Sequence, residues 1–144
     1  MKRIYLLAAT LLLILLPVSA QGLRHSVCIV EPEFSEADKT FMGNYAQFMA
    51  RAGMRSAART LTAYKSEGTF GSGVVVNHDG KKYVLTNLHV VGYAENATII
   101  FQLHEKTLRY EHCEVVNIAS TDLAAVALPA ECEMIALPIY AGVI

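Results

Sequence analysis

Hydrophobic positions change rhythm along this chain. From Ile4 to Leu16 they form a nearly unbroken run behind Lys2 and Arg3, and Val18-Ser19-Ala20 follows with small residues. Charge, apolar run and small residues in that order predict a cleavable export signal over 1–20. The run falls short of the roughly 20 apolar residues of a spanning helix. After an extended piece from Leu23 to Phe34, Ser35-Glu36-Ala37-Asp38 predicts a helix start: the serine hydroxyl accepts a backbone N–H and the carboxylate three positions on reciprocates. Phe41, Tyr45, Phe48, Met49 and Ala52 recur at helical spacing, with Asp38, Asn44, Gln47, Arg51 and Arg55 mostly opposite. One amphipathic helix over Ser35 to Arg59 is expected. Gly43 and Gly53 each cost such a helix about 1 kcal/mol relative to alanine, so it should depend on docking, with the outside of the following domain as the expected place.

From Gly68 the period shortens. Phe70 to Val76 is glycine-rich and then β-branched, Asn77-His78-Asp79-Gly80 is a turn signal, and Lys82 to Thr86 predicts the returning strand of a hairpin. Ala97 to Leu103 predicts a further strand, and His112 to Ile118 with Leu123 to Leu128 another pair joined through Ser120-Thr121. Short strands at this spacing predict a mainly β domain, an antiparallel barrel or sandwich, preceded by an α-helix. The expected organisation is a signal over 1–20, an extension with its helix over 21–66, and the β domain over 67–144.

Composition narrows the function classes. Twelve basic residues against 13 acidic give a net charge of −1, which offers no electrostatic case for nucleic acid or an anionic membrane as partner. Export implies an oxidising compartment. The three cysteines, Cys28, Cys113 and Cys132, are too scattered for a metal knuckle. One disulfide with an odd thiol, Cys113–Cys132 being the favoured pair, and three free buried thiols both remain open. No compact set of zinc ligands and no cofactor motif is present; Gly71-Ser72-Gly73 precedes a strand, which fails the context test for a phosphate loop.

The chemistry-bearing pair is His89 and Asp122. Imidazole has a pKa near about 6.5 and suits general-base work, and a carboxylate on its far nitrogen fixes the tautomer. His89 follows an apolar strand, and Asp122 opens another after a short polar turn. His78, His104 and His112 fall among turn or charged residues and are expected on the solvated surface, with His25 near the new N-terminus.

Three segments in order carry a resemblance: Gly71-Ser72-Gly73-Val74-Val75-Val76, Tyr83-Val84-Leu85-Thr86-Asn87-Leu88-His89-Val90-Val91, and Thr121-Asp122-Leu123-Ala124-Ala125-Val126. Together they resemble the chymotrypsin/trypsin-like serine proteases, with the bacterial trypsin-like peptidases of the HtrA/Deg type as the nearest branch. The resemblance spans roughly Gly68 to Leu128. It implies two Greek-key β-barrels, with His89 and Asp122 on the first, His89 as general base and then acid, and Asp122 orienting it. It implies a polypeptide substrate, no metal or organic cofactor, and a periplasmic or secreted bacterial protein, free of the membrane once its signal is cleaved. The nucleophile and oxyanion hole would lie in a Gly-Asn-Ser-Gly-Gly type loop of the second barrel. No serine follows Asp122, and Ser66, Ser72 and Ser120 are in no such loop. The chain is therefore expected to be an N-terminal part that is inactive alone. A pseudoprotease serving as a peptide-binding or scaffold module, and a small exported interaction domain ending at Ile144, are the competing readings.

Overall fold

The computed structural model describes residues 23–92, 94–118 and 120–139. The expected signal over 1–20 and the end of the chain from Tyr140 lie outside them. The elements run β1 (Val27–Glu33), α1 (Glu36–Arg51), α2 (Arg55–Glu67), β2 (Gly71–His78), β3 (Lys81–Thr86), α3 (Leu88–Val91), β4 (Asn96–Gln102), β5 (Thr107–Ile118) and β6 (Leu123–Ala127).

The strands close into an antiparallel barrel in the neighbour order β1-β2-β3-β6-β5-β4. Closure satisfies the backbone groups that an open sheet would leave at its edges. The β2–β3 turn forms where the sequence predicts it. Asp79 and Gly80 take φ of 49° and 76°, the primed-turn geometry matched to strand twist, and the Asn77 side chain accepts the Gly80 N–H at 3.2 Å. Inward-facing positions fill the barrel: Val30, Val75, Val84, Ile99, Phe101 and Val126 are fully or almost fully buried. Phe101 meets Tyr110 edge to face. The segment after β6 folds back across the barrel. Ser26 Oγ donates to the Ile135 carbonyl at 2.7 Å, Leu137 N to Val75 O at 2.7 Å, and Lys82 Nζ to Cys132 O at 2.7 Å.

Two expectations need correction. The extended piece before the helices is not part of an extension ending at residue 66. As β1 it pairs with β2 (Val27 to Val74) and with β4 (Glu33 to Asn96), so the barrel begins at Val27. The helical segment is an insertion between its first two strands. That segment is also two helices rather than one. The chain leaves α1 through Ala52 and Gly53, whose φ of 84° suits glycine and ends a helix, and α2 starts at Arg55. The predicted capping box is present: Ser35 Oγ accepts from Asp38 N at 3.1 Å, and Asp38 Oδ2 accepts from Ser35 N at 2.9 Å.

The aromatic face of α1 is not laid on the barrel wall. Phe41, Tyr45 and Phe48 stack in a row, with centroids 5.8 and 6.1 Å apart, and remain largely exposed. What the two helices bury is small: Ala46 on α1 and Ala58 on α2, with Gly43 so close to Lys65 that a Cβ would stand 2.9 Å from its Nζ. The hairpin stands beside the turn that carries His89.

Cys28, Cys113 and Cys132 are free, buried thiols. Burial pushes the Cys28 thiol up to about 12 and that of Cys113 to about 11. Neither Cys28 nor Cys113 is a thiolate at neutral pH, and neither is poised as a nucleophile.

Candidate active site

The β3 strand ends at Thr86, and Asn87 opens the single helical turn α3 that carries His89 and ends on Gly92 (φ 57°). One close approach seats this turn, and a second seats the strand before it. A Cβ on Gly71 would lie 2.5 Å from Val90 Cγ2, and one on Gly73 would collide with Val84 Cγ1. The glycines of the Gly-Ser-Gly segment thus let β2 run against β3 and against the residue next to His89. Ser72 has a backbone role: its carbonyl accepts the Thr86 hydroxyl at 2.9 Å.

Asp122 reaches the same turn from the start of β6. Its backbone carbonyl accepts Leu88 N at 3.2 Å and Asn87 Nδ2 at 3.2 Å, joining the two loops before any side-chain carboxylate is involved. The carboxylate then grips His89 twice. Oδ1 accepts the His89 backbone N–H at 3.0 Å, and Oδ2 lies 2.7 Å from ring Nδ1. An ionised carboxylate only accepts, so Nδ1 carries the proton in this pair and Nε2 is the free base in the neutral ring. The ring N–H and then the backbone N–H of His89 hold the Asp122 carboxyl below its ordinary range, with a weaker opposing effect from desolvation. Both side chains are open to solvent, 71% exposed for His89 and 57% for Asp122. The two candidate residues are therefore side by side at the barrel rim.

His89 also forms part of the wall of a cleft of about 680 Å³ between the barrel and the helical hairpin, lined besides by Phe41, Tyr45, Leu61, Tyr64 and Val90.

A second histidine clamp went unread in the sequence. His112, expected as a surface residue, has Nδ1 2.7 Å from Glu33 Oε2, while its backbone N–H donates to Glu33 Oε1 at 2.9 Å. The buried Thr98 hydroxyl donates to the same Oε1 at 2.6 Å. Ala97 faces Cys113 but Ile99 faces Tyr110, so β5 carries an extra residue there, and His112 takes φ of 56° in that bulge. Desolvation acts to raise the Glu33 carboxyl, but the bonds from Thr98 and His112 outweigh it and hold it low. Nothing local marks this pair in the sequence, since its members are 79 residues apart. His78 lies 3.4 Å from Asp79 within the β2–β3 turn, and both are exposed. Among the described residues no three His, Cys, Asp or Glu side chains converge as metal ligands, and no helix is long and apolar enough to cross a membrane.

Compared with known proteins, the chain matches no family model, no curated protein and no solved structure.

Proposed function

We propose that this chain carries the base and orienting carboxylate of an exported, trypsin-like serine endopeptidase. His89 would take the proton from a serine hydroxyl and return it to the leaving amine, and Asp122 would hold the imidazole in the Nδ1–H tautomer. The observation behind this reading is the double grip of Asp122 on His89, ring and backbone at 2.7 and 3.0 Å, which leaves Nε2 free at an open rim. The barrel adds support: β4-β1-β2-β3 is the neighbour order of a Greek key, the topology that the resemblance implies. In His–Asp–Ser order the reading requires a serine after Asp122, which these 144 residues do not supply. The chain alone should therefore hydrolyse nothing.

The test has two parts. The reading frame should continue past Ile144 into a second barrel with a glycine-flanked serine. The protein bearing it should then react with a serine-directed fluorophosphonate, and His89→Ala should abolish that reaction. A second barrel with no serine in that loop removes the enzyme claim. A second reading, a non-catalytic peptide-binding module, is favoured by the apolar cleft at His89; peptide binding with no fluorophosphonate labelling would select it. Export through the 1–20 segment belongs to the same proposal, and N-terminal sequencing of the exported protein should begin at Gln21.

A further inference from the structure

The helices inserted between β1 and β2 have no role in closing the barrel, yet they place aromatic and aliphatic side chains opposite His89. Phe41 and Tyr45 come from α1, Leu61 and Tyr64 from α2, and Val90 with the His89 ring from the α3 turn. Leaving Phe41, Tyr45 and Tyr64 between 42% and 60% exposed forgoes burial that a packing helix would use. The space between them, about 680 Å³, lies within the roughly 300–1,000 Å³ range of ligand pockets and admits a large side chain with part of its backbone. Its polar character is sparse. Besides His89, the charged side chain on its wall among the described residues is Asp38, and that carboxylate is already bound by the Ser35 N–H and hydroxyl at 2.9 and 2.7 Å. Both of those bonds end on Oδ2; an anionic side chain would meet the Asp38 charge, and a charged side chain of either sign would give up hydration to a largely apolar wall.

We infer that this cleft is a specificity subsite for an aromatic or long aliphatic side chain of a polypeptide, next to the peptide bond presented to His89. The inference rests on the peptidase reading for the identity of that bond, while the binding itself follows from the lining. The imidazole is part of the wall, so a chain that fills the cleft touches the ring. The stacked row Phe41–Tyr45–Phe48 continues away from the ring along α1 and gives an extended chain further apolar surface to follow. The helical insertion, rather than the barrel, thereby sets which side chain is accepted.

The test uses the full chain and fluorescein-labelled, end-blocked hexapeptides identical except for one central residue: Phe, Leu, Glu or Lys. Fluorescence anisotropy should show the Phe and Leu peptides binding about tenfold or more tighter than the Glu and Lys peptides. The His89 ring resonances should move with the Phe peptide and not with the Glu peptide. Leu61→Asp should bring the Phe peptide down to the Glu level, while Thr60→Asp, away from the cleft wall, should not. Because a buried charge could unfold the hairpin, Tyr64→Ala at an exposed position is the second variant, with an expected loss of about threefold or more for the Phe peptide alone. Equal binding of all four peptides overturns the inference, as does selectivity that survives both Leu61→Asp and Tyr64→Ala. Sedimentation showing that a second copy of the chain occupies the cleft and competes with the peptides overturns it too. Fluorophosphonate labelling and hydrolysis by the serine-bearing protein without Phe or Leu preference would sink the subsite and leave the peptidase. Phe-selective binding at His89 without labelling would do the reverse.

Discussion

Gly71→Ala tests how the barrel seats the candidate base. Gly71 lies outside the left-handed region, so alanine meets no backbone strain there. In the unfolded chain alanine is less free than glycine, a gain of about 0.4–1 kcal/mol. Packing opposes it. The new methyl would stand 2.5 Å from Val90 Cγ2 and 2.7 Å from Cγ1, where carbon–carbon contact is comfortable at about 3.5–4.0 Å. Val90 must retreat by about 1 Å, and overpacking of this kind costs about 1–3 kcal/mol. The net expectation is a loss of about 0.5–2 kcal/mol in urea unfolding. Val90 is the neighbour of His89, and a similar retreat of the ring would break the 2.7 Å bond to Asp122, so the His89 ring resonances should move as well. Val90→Ala supplies the control. With both γ-carbons gone, the nearest Val90 atom is its Cβ at 3.2 Å, which a shift of a few tenths of an ångström relieves. A double-mutant cycle should therefore return a favourable coupling of about 1 kcal/mol or more, with the His89 ring resonances restored in the double variant. Additivity within about 0.3–0.5 kcal/mol would refute the claim that this contact seats the turn.

Two other expectations are direct. Ser35→Ala removes the hydroxyl half of the capping box and should destabilise the start of α1 by about 1 kcal/mol, visible as faster amide exchange at Ala37 to Lys39; unchanged exchange there would count against the cap. The three thiols should react with Ellman's reagent only after denaturant is added, since all are buried and two are pushed up to about 11 and 12. Native labelling at the denatured rate would contradict the barrel packing.

What the sequence disclosed depended on how local the deciding interaction is. The Asp79-Gly80 turn and the Ser35–Asp38 cap are settled within four residues, and both stand where residue chemistry puts them. Gly53 was misread because a glycine that weakens a helix and one that ends it look alike in a sequence; only its φ of 84° separates them. The role of β1 was hidden for a different reason. Its partner β4 lies beyond the whole helical insertion, and a run with Val27, Ile29 and Pro32 carries no sign of what it pairs with. The aromatic face of α1 obeyed helical periodicity, but periodicity reports that a face exists and not what covers it. His89 and Asp122 stood out through motif context rather than through pattern, since an isolated histidine and aspartate carry little information alone.

The histidine clamps differ in what each carboxylate holds besides the ring. Both have the same form: a carboxylate binds ring Nδ1 at 2.7 Å and the same residue's backbone N–H at 2.9 or 3.0 Å. Glu33 is only 26% exposed and also accepts the buried Thr98 hydroxyl, so one carboxylate ties β1 to β4 and to the bulge of β5. Asp122 is open to solvent, and its side-chain bonds all go to the turn that carries His89. The first arrangement suits holding a fold and the second suits aiming a ring. Both carboxyls are held low in the folded protein, so the stability each adds is present above the ordinary carboxylate range and lost as pH falls through the depressed value, below about pH 4. Glu33→Gln should therefore lower the urea midpoint at pH 6 and flatten its decline towards pH 3. Asp122→Asn should lower the pH 6 midpoint by less than Glu33→Gln does, because this carboxylate is open to solvent, while moving the His89 ring resonances. If Asp122→Asn unfolds the barrel and Glu33→Gln does not, the two roles are exchanged, and His112 rather than His89 becomes the ring to examine.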